Sequence, residues 1–316
     1  PGTLTAMMTY CTQILMSVMM ICMIAIQLVR AKASIERIYE VLDEQPDIVG
    51  TDSDITVQNG SVSFKHVDFS YSKSAENLTL TDIDLEIESG QTVGIIGGTG
   101  DRKSSLVQLI PRFYDVLDGE VLVGGVNVKD YSLYNLRQGV AMVLQKNVLF
   151  SGTIKDNLLW GNENATDEQI VEACQAACAH DFIMAFPNGY QTDLGQGGVN
   201  VSGGQKQRLC IARALLKKPK IMILDDSTSA VDTATDAKIR QGLRNLDKDM
   251  TTIVIAQRIS SVEHCDKIVV LDDGKINAVG THEELLETCK IYQEVYRSQQ
   301  QGTENEQAGG DSDGSK

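Results

Sequence analysis

Basic side chains are in short supply: Lys and Arg number 28 against 43 Asp and Glu, for a net charge of −15. A chain so acidic lacks the basic face that neutralises phosphates, which argues against a general nucleic-acid binder. Cysteine is present as seven residues, an odd number with no paired framework. Cys174 and Cys178 lie four apart, a spacing that suits one helix face better than a zinc knuckle, so a reduced, cytosolic setting fits best. Five prolines and a single tryptophan decide nothing, and no internal repeat is found. The most informative absence is at the front, where residues 1–29 carry no charged side chain. What is there suffices for a core: 316 residues, 42% hydrophobic and 22% charged, fit one large domain or one with attachments.

From Leu4 to Val29 the text reads LTAMMTYCTQILMSVMMICMIAIQLV, longer than the roughly 20 residues that cross a bilayer. Arg30, Lys32 and Arg37 follow at once, as cytoplasmic flanks do. A signal peptide places its basic residues before a shorter apolar run, the reverse of this order. A buried soluble helix is the alternative, and the length of the run weighs against it. Since the text opens on Pro1, not Met, the expectation is the last transmembrane helix of a longer, multi-pass chain in contact with membrane lipid. Thr5, Thr9, Thr12, Gln13 and Ser17 form one stripe at helical period. Such a stripe faces other helices or a watery cavity. Six of the ten methionines lie in this helix; they suit a pocket for varied apolar molecules, or plain helix packing.

Ile35, Ile38 and Leu42 keep the helical spacing until Asp43–Pro46, so residues 1–45 are one helix with its cytoplasmic extension. Residues 46–60 are polar and turn-rich, a linker. A soluble domain covers 61–298, and 299–316 lacks periodic apolar residues and reads as a disordered tail. Within the domain, Ser61–Tyr71 and Leu78–Ile87 alternate as antiparallel strands. Thr92–Ile96 is a short buried strand that enters the glycine-rich turn GGTGDRKSSL, followed by a helix through Ile110.

A strand, a glycine turn and then Lys-Ser at a helix start make a phosphate cradle. Backbone N–H groups point at the anion, Lys103 reaches outer phosphates, and Ser104 can ligate Mg²⁺. Gly97, Gly100, Lys103 and Ser104 match GxxxxGK[ST], but the second motif glycine is replaced by Arg102. Ile221–Asp226 (IMILDD) reads as a buried strand that delivers carboxylates to its C-terminal tip. About twenty residues upstream, VSGGQ at 201–205 precedes a strong helix pattern and forms a second anion site without a lysine. Two phosphate sites with one lysine suggest that the second serves a neighbouring molecule.

In this combination the chain resembles the ATP-binding-cassette (ABC) exporters, from Leu4 to about Arg297. The motifs stand in the family's order: aromatic A-loop at Tyr71, Walker A at 97–104, Gln145, signature 201–205, Walker B 221–225, SAVD at 229–232 and switch region IAQR at 255–258. The resemblance implies an α/β fold: a parallel-sheet, RecA-like core, an antiparallel β portion and a helical subdomain at about 153–190, preceded by one transmembrane helix. It further implies ATP and Mg²⁺. Tyr71 would stack on adenine, while Gly97, Gly98, Thr99, Gly100, Asp101, Arg102, Lys103, Ser104 and Ser105 would surround the phosphates. Ser104, Gln145 and Asp225 would position Mg²⁺, with Gln145 also facing the membrane helices. Ser202, Gly203, Gly204 and Gln205 would meet the nucleotide of a second, head-to-tail domain.

The departures carry information. The family's hydrolytic glutamate is Asp226 here, one methylene short of a base that must come within about 3 Å of its water. The switch histidine is Gln257, which can donate a hydrogen bond but holds no positive charge. Gln196, in TDLGQGG, replaces a charge on the surface that faces the membrane domain. Asp101 either opposes the bound anion or caps the helix. Arg102 could offset that charge, yet its Cβ crowds a turn that glycine permits.

Together these changes resemble the degenerate half of heterodimeric bacterial multidrug exporters. The expected function is ATP-driven efflux of hydrophobic drugs or lipids from the bacterial plasma membrane, with a second ABC half-transporter as partner and the nucleotide-binding domain in the cytoplasm. A homodimeric lipid or peptide exporter and a non-transport ABC ATPase are the alternatives.

Overall fold

A computed structural model describes residues 2–98, 100, 102–225 and 233–310. The chain divides into two units, residues 1–49 and 50–316. In the first, α1 (Gly2–Leu42) is a single helix with no buried residue, and among the described residues it alone is long and apolar enough to cross a membrane. Its 41 residues extend about 60 Å at 1.5 Å per residue. The hydroxyls of Thr9, Thr12 and Ser17 donate to the carbonyls of Thr5, Met8 and Gln13 at 2.7–2.9 Å. The polar stripe therefore spends these protons on its own backbone, which makes it tolerable in an apolar medium.

The second unit opens with β1 (Val62–Phe69), β2 (Leu80–Ile87) and β3 (Thr92–Gly97), then α2 (Lys103–Gln108), β4 (Asp118–Val123), β5 (Val126–Asn127), α3 (Leu133–Gly139) and β6 (Val140–Val143). A helical portion follows: β7 (Gly152–Thr153), α4 (Ile154–Leu159), α5 (Asp167–Ala176), α6 (His180–Met184), β8 (Asp193–Leu194) and α7 (Gly203–Leu216). The chain ends with β9 (Ile221–Asp225), α8 (Thr233–Leu246), β10 (Thr251–Ile255), β11 (Lys267–Asp272), β12 (Lys275–Gly280), α9 (His282–Thr288) and α10 (Lys290–Gly310).

The alternating text of β1 and β2 becomes an antiparallel sheet of order β2-β1-β4-β5. The larger sheet has the order β12-β11-β3-β10-β9-β6, parallel except at β12. Its central strands are buried on both faces, which is why they read as continuous apolar runs. Alternation sorts their side chains between two cores. Ile95, Ile223, Ile253 and Val269 face the antiparallel sheet and α2, whereas Ile96, Met222, Val254 and Ile268 face the helices. At Gly94 a Cβ would lie 2.6 Å from the Val262 Cβ, so β3 passes the β10–β11 connection closely only as glycine.

Local chemistry sets the helix starts. Thr153, Thr166, Ser202 and Thr281 each close a capping box with Asp156, Gln169, Gln205 and Glu284, opening α4, α5, α7 and α9. Helix α2 ends at Gln108, short of the expected Ile110, because a residue before proline disfavours helical backbone and Pro111 follows. The segment from Gln299 to Gly310, expected to be disordered, instead continues α10. Its start is held to the domain by Tyr292 and Gln299, so the helix is already nucleated where the apolar periodicity stops.

Candidate functional site

The parallel strands of the larger sheet all end at one edge, where open α/β sheets hold their ligands. In register, Asp225 lies beside Ile255 and Ile255 beside Ile95. Gly97 at the end of β3, Asp225 at the end of β9, Gln145 just past β6 and Gln257 just past β10 thus leave the sheet on the same side.

Lys103 opens α2 and folds back over the preceding turn. Its Nζ donates to the carbonyls of Gly97 at 2.9 Å and Gly98 at 2.6 Å. Ser104 Oγ donates to Asp225 Oδ1 at 2.9 Å, and this carboxylate is buried. A hydroxyl and a buried carboxylate side by side are hard oxygen donors of the kind Mg²⁺ takes, usually with several waters kept. Ser105 is buried, its hydroxyl 2.9 Å from that of Tyr71, which also donates to Gln108 Oε1 at 3.3 Å. The Tyr71 ring makes T-shaped contacts with Phe69 and Tyr114, with centroids 4.8 and 4.9 Å away. The residue is 51% exposed, so it remains within reach of a ligand.

Two backbone positions in the turn are left-handed. Gly100 has φ +94°, and Arg102 has φ +62° and ψ +24°. A side chain in that conformation costs about 1–2 kcal/mol, which glycine avoids. Arg102 is held there by its guanidinium, whose Nη1 donates to the Asp273 carbonyl at 2.8 Å and to Asp273 Oδ1 at 2.7 Å. The crowding expected of its Cβ is therefore absorbed as left-handed backbone. The charge expected to offset Asp101 is committed to the β11–β12 turn. Thr99, Asp101, Asp226 and residues 229–232 lie outside the described residues.

Ser202 caps α7: its Oγ accepts from Gln205 N at 3.2 Å, and Gln205 Oε1 accepts from Ser202 N at 2.9 Å. Gly203 and Gly204 are the first two residues of that helix, where N–H groups have no intrahelical acceptor. The helix packs on α4, α5 and β6, so these residues belong to the helical portion, whereas Lys103, Ser104, Asp225 and Tyr71 gather around α2. Beyond Gln145, a cavity of about 300 Å³ is lined by Met142, Leu144, Val148, Phe150, Trp160 and Arg213. Trp160, 69% exposed, stacks on Phe150 with centroids 4.6 Å apart.

Sequence reasoning missed three features: the Arg102–Asp273 pair, the Trp160 groove, and Gln299, whose side-chain amide bonds the backbone after β10. For Gln299 a signal existed, since it continues the spacing of Tyr292, Val295 and Tyr296.

Comparison with known proteins gives consistent findings. A family model described as ABC transporter matches residues 80–229. A protein named as multidrug export ATP-binding/permease protein, from Staphylococcus aureus (strain NCTC 8325 / PS 47), is 46% identical over 265 residues, covering 83% of this chain and 46% of that protein. The counterpart in the bovine strain RF122 / ET3-1 has the same identity and coverage. Among solved structures, a bacterial Atm1-family ABC exporter with ATP bound superposes with a TM-score of 0.80 at 33% identity, covering 85% of this chain and 47% of that one. The chain spans about half the length of the relatives it matches.

Proposed function

Because the chain carries an ABC transporter ATPase domain, homologous to multidrug export ATP-binding/permease proteins and to an Atm1-family exporter, we propose that it is the ATP-binding part of an exporter subunit in a bacterial plasma membrane. The observation that carries this reading is the pairing of Ser104 with the buried Asp225 beside a lysine folded over its own glycine turn.

Lys103 releases the Gly97 and Gly98 carbonyls to take phosphate oxygens of ATP, exchanging neutral partners for charged ones. Ser104, Asp225 and Gln145 hold Mg²⁺, which neutralises phosphate charge when bound. Tyr71, half exposed at the site's edge, stacks on the adenine. Ser202, Gly203 and Gly204 serve a nucleotide held by a second half-transporter, since the helix they open lies in a different part of the domain from Lys103. The Trp160–Phe150 groove beside Gln145 receives the membrane-domain surface, through which nucleotide binding is transmitted to efflux of hydrophobic molecules such as drugs or lipids.

The chain's own nucleotide is hydrolysed slowly. An aspartate at position 226 has a side chain one methylene shorter than glutamate, a poorer reach for a general base, and the neutral Gln257 amide stabilises less developing charge than an imidazolium. The partner is therefore a different half-transporter that retains the glutamate and histidine. The nucleotide assignment is tested by titrating the purified chain with Mg²⁺ and the non-hydrolysable analogue AMP-PNP. Saturable binding that is lost in Lys103→Ala supports it, and equal binding by both proteins refutes it.

A further inference from the structure

Helix α10 is seated by Tyr292, fully buried, and by Val295 and Tyr296, half-buried against the helical core. Gln299 follows Tyr292 by seven residues and Val295 by four, so it lies on the same face. It is half-buried while its neighbours Ser298 and Gln300 are exposed. Its amide is used on both sides: Nε2 donates to the Gln257 carbonyl at 2.8 Å, and Oε1 accepts from Ile259 N at 2.9 Å. One planar group thus spans the backbone around Arg258, as a neighbouring strand would. The flanks of this loop are fixed by burial, with Ala256 and Ile259 both buried. Gln257 and Arg258 between them are exposed, and the Gln299 side chain ties this exposed stretch to α10.

We propose that Gln299 is a positioning residue: it fixes the Gln257 backbone so that the Gln257 side-chain amide meets the terminal phosphate of a bound triphosphate. The C-terminal helix thereby becomes part of the means by which the site tells ATP from ADP. This inference rests on the nucleotide reading above. A neutral amide needs such a clamp more than a charged group does. Its hydrogen bond weakens steeply with angle, whereas a charge attracts from any direction.

The test uses the full chain in detergent, titrated with Mg²⁺ and either AMP-PNP or ADP, in the wild type, Gln299→Ala, Gln257→Ala and the double variant. Gln299→Ala is expected to weaken AMP-PNP about fivefold, the worth of one ordinary hydrogen bond, while ADP affinity stays within about twofold. In the Gln257→Ala background the same substitution is expected to leave the AMP-PNP to ADP ratio unchanged. Gln299→Glu keeps the acceptor for Ile259 N but replaces the donor to Gln257, and is expected to lose the same discrimination; it serves if the alanine variant does not fold. A ratio equal to wild type in the folded variants, or a fivefold loss that persists without the Gln257 amide, overturns the inference and leaves the nucleotide reading standing. A wild-type chain that binds neither nucleotide overturns both.

Discussion

Replacing Arg102 by glycine tests the account of the phosphate turn, because it restores the residue the motif calls for at a position the structure shows to be left-handed. The conformation at φ +62° costs an arginine about 1–2 kcal/mol, which glycine recovers. Against this stands the loss of the Arg102–Asp273 contacts. Asp273 is 89% exposed in its side chain, so the ion pair is worth under about 1 kcal/mol. The bond to the Asp273 carbonyl adds about 1 kcal/mol, and glycine's freedom in the unfolded chain costs roughly 0.5–1 kcal/mol. These terms nearly cancel. Thermal unfolding of Arg102→Gly is therefore expected within about 4 °C of wild type, and AMP-PNP affinity within about threefold. Lys103→Ala, which removes charge-assisted contacts, is expected to lose at least about tenfold. If Arg102→Gly lost as much affinity as Lys103→Ala, the guanidinium would be a phosphate ligand and its assignment to Asp273 wrong. A fall in melting temperature beyond about 8 °C would mean the tether holds the turn rather than tolerating it.

Two further predictions concern stability. Thr251 is fully buried; its hydroxyl donates to the Gly60 carbonyl at 2.7 Å and accepts from Gly90 N at 3.0 Å. Thr251→Val keeps the shape and leaves both backbone groups unpaired, so urea unfolding is expected to show a loss of about 2 kcal/mol; a neutral result would mean water replaces the hydroxyl. Asp115 is held below the usual carboxylate range by its hydrogen bond to the buried Arg112, at 2.7 Å. A depressed folded pKa contributes stability that is complete above the unfolded value near 4 and is lost as pH falls through the folded value. Asp115→Asn is therefore expected to be less stable than wild type at neutral pH, with the gap closing below about pH 4; a gap constant across that window would refute the pairing.

Much of the fold was written in periodicity. IMIL of β9 and TVGII of β3 read as buried strands because both faces of the sheet are covered. The capping boxes at Ser202 and Thr166 stand in the text as Ser or Thr three residues before Gln. The Walker turn was legible as residue types, but the conformation that makes Arg102 fit was not. It depends on Asp273, 171 positions away in sequence, and pattern reading carries no long-range pairing. Gln299 was missed for a different reason. In the run SQQQG composition suggested a solvated tail, and only the packing of Tyr292 and Val295 gives its amide a direction.

Slow hydrolysis at the chain's own site is decided by ATP turnover of the purified chain, with no second half-transporter present, measured beside the Asp226→Glu, Gln257→His double variant. Wild type is expected to turn over slowly, well under the order of 10 s⁻¹ that is typical of enzymes. A gain of at least about a hundredfold is expected when the longer carboxylate and the imidazole are put in place. Wild-type turnover at an ordinary rate, with no gain in the double variant, would contradict slow hydrolysis at this site.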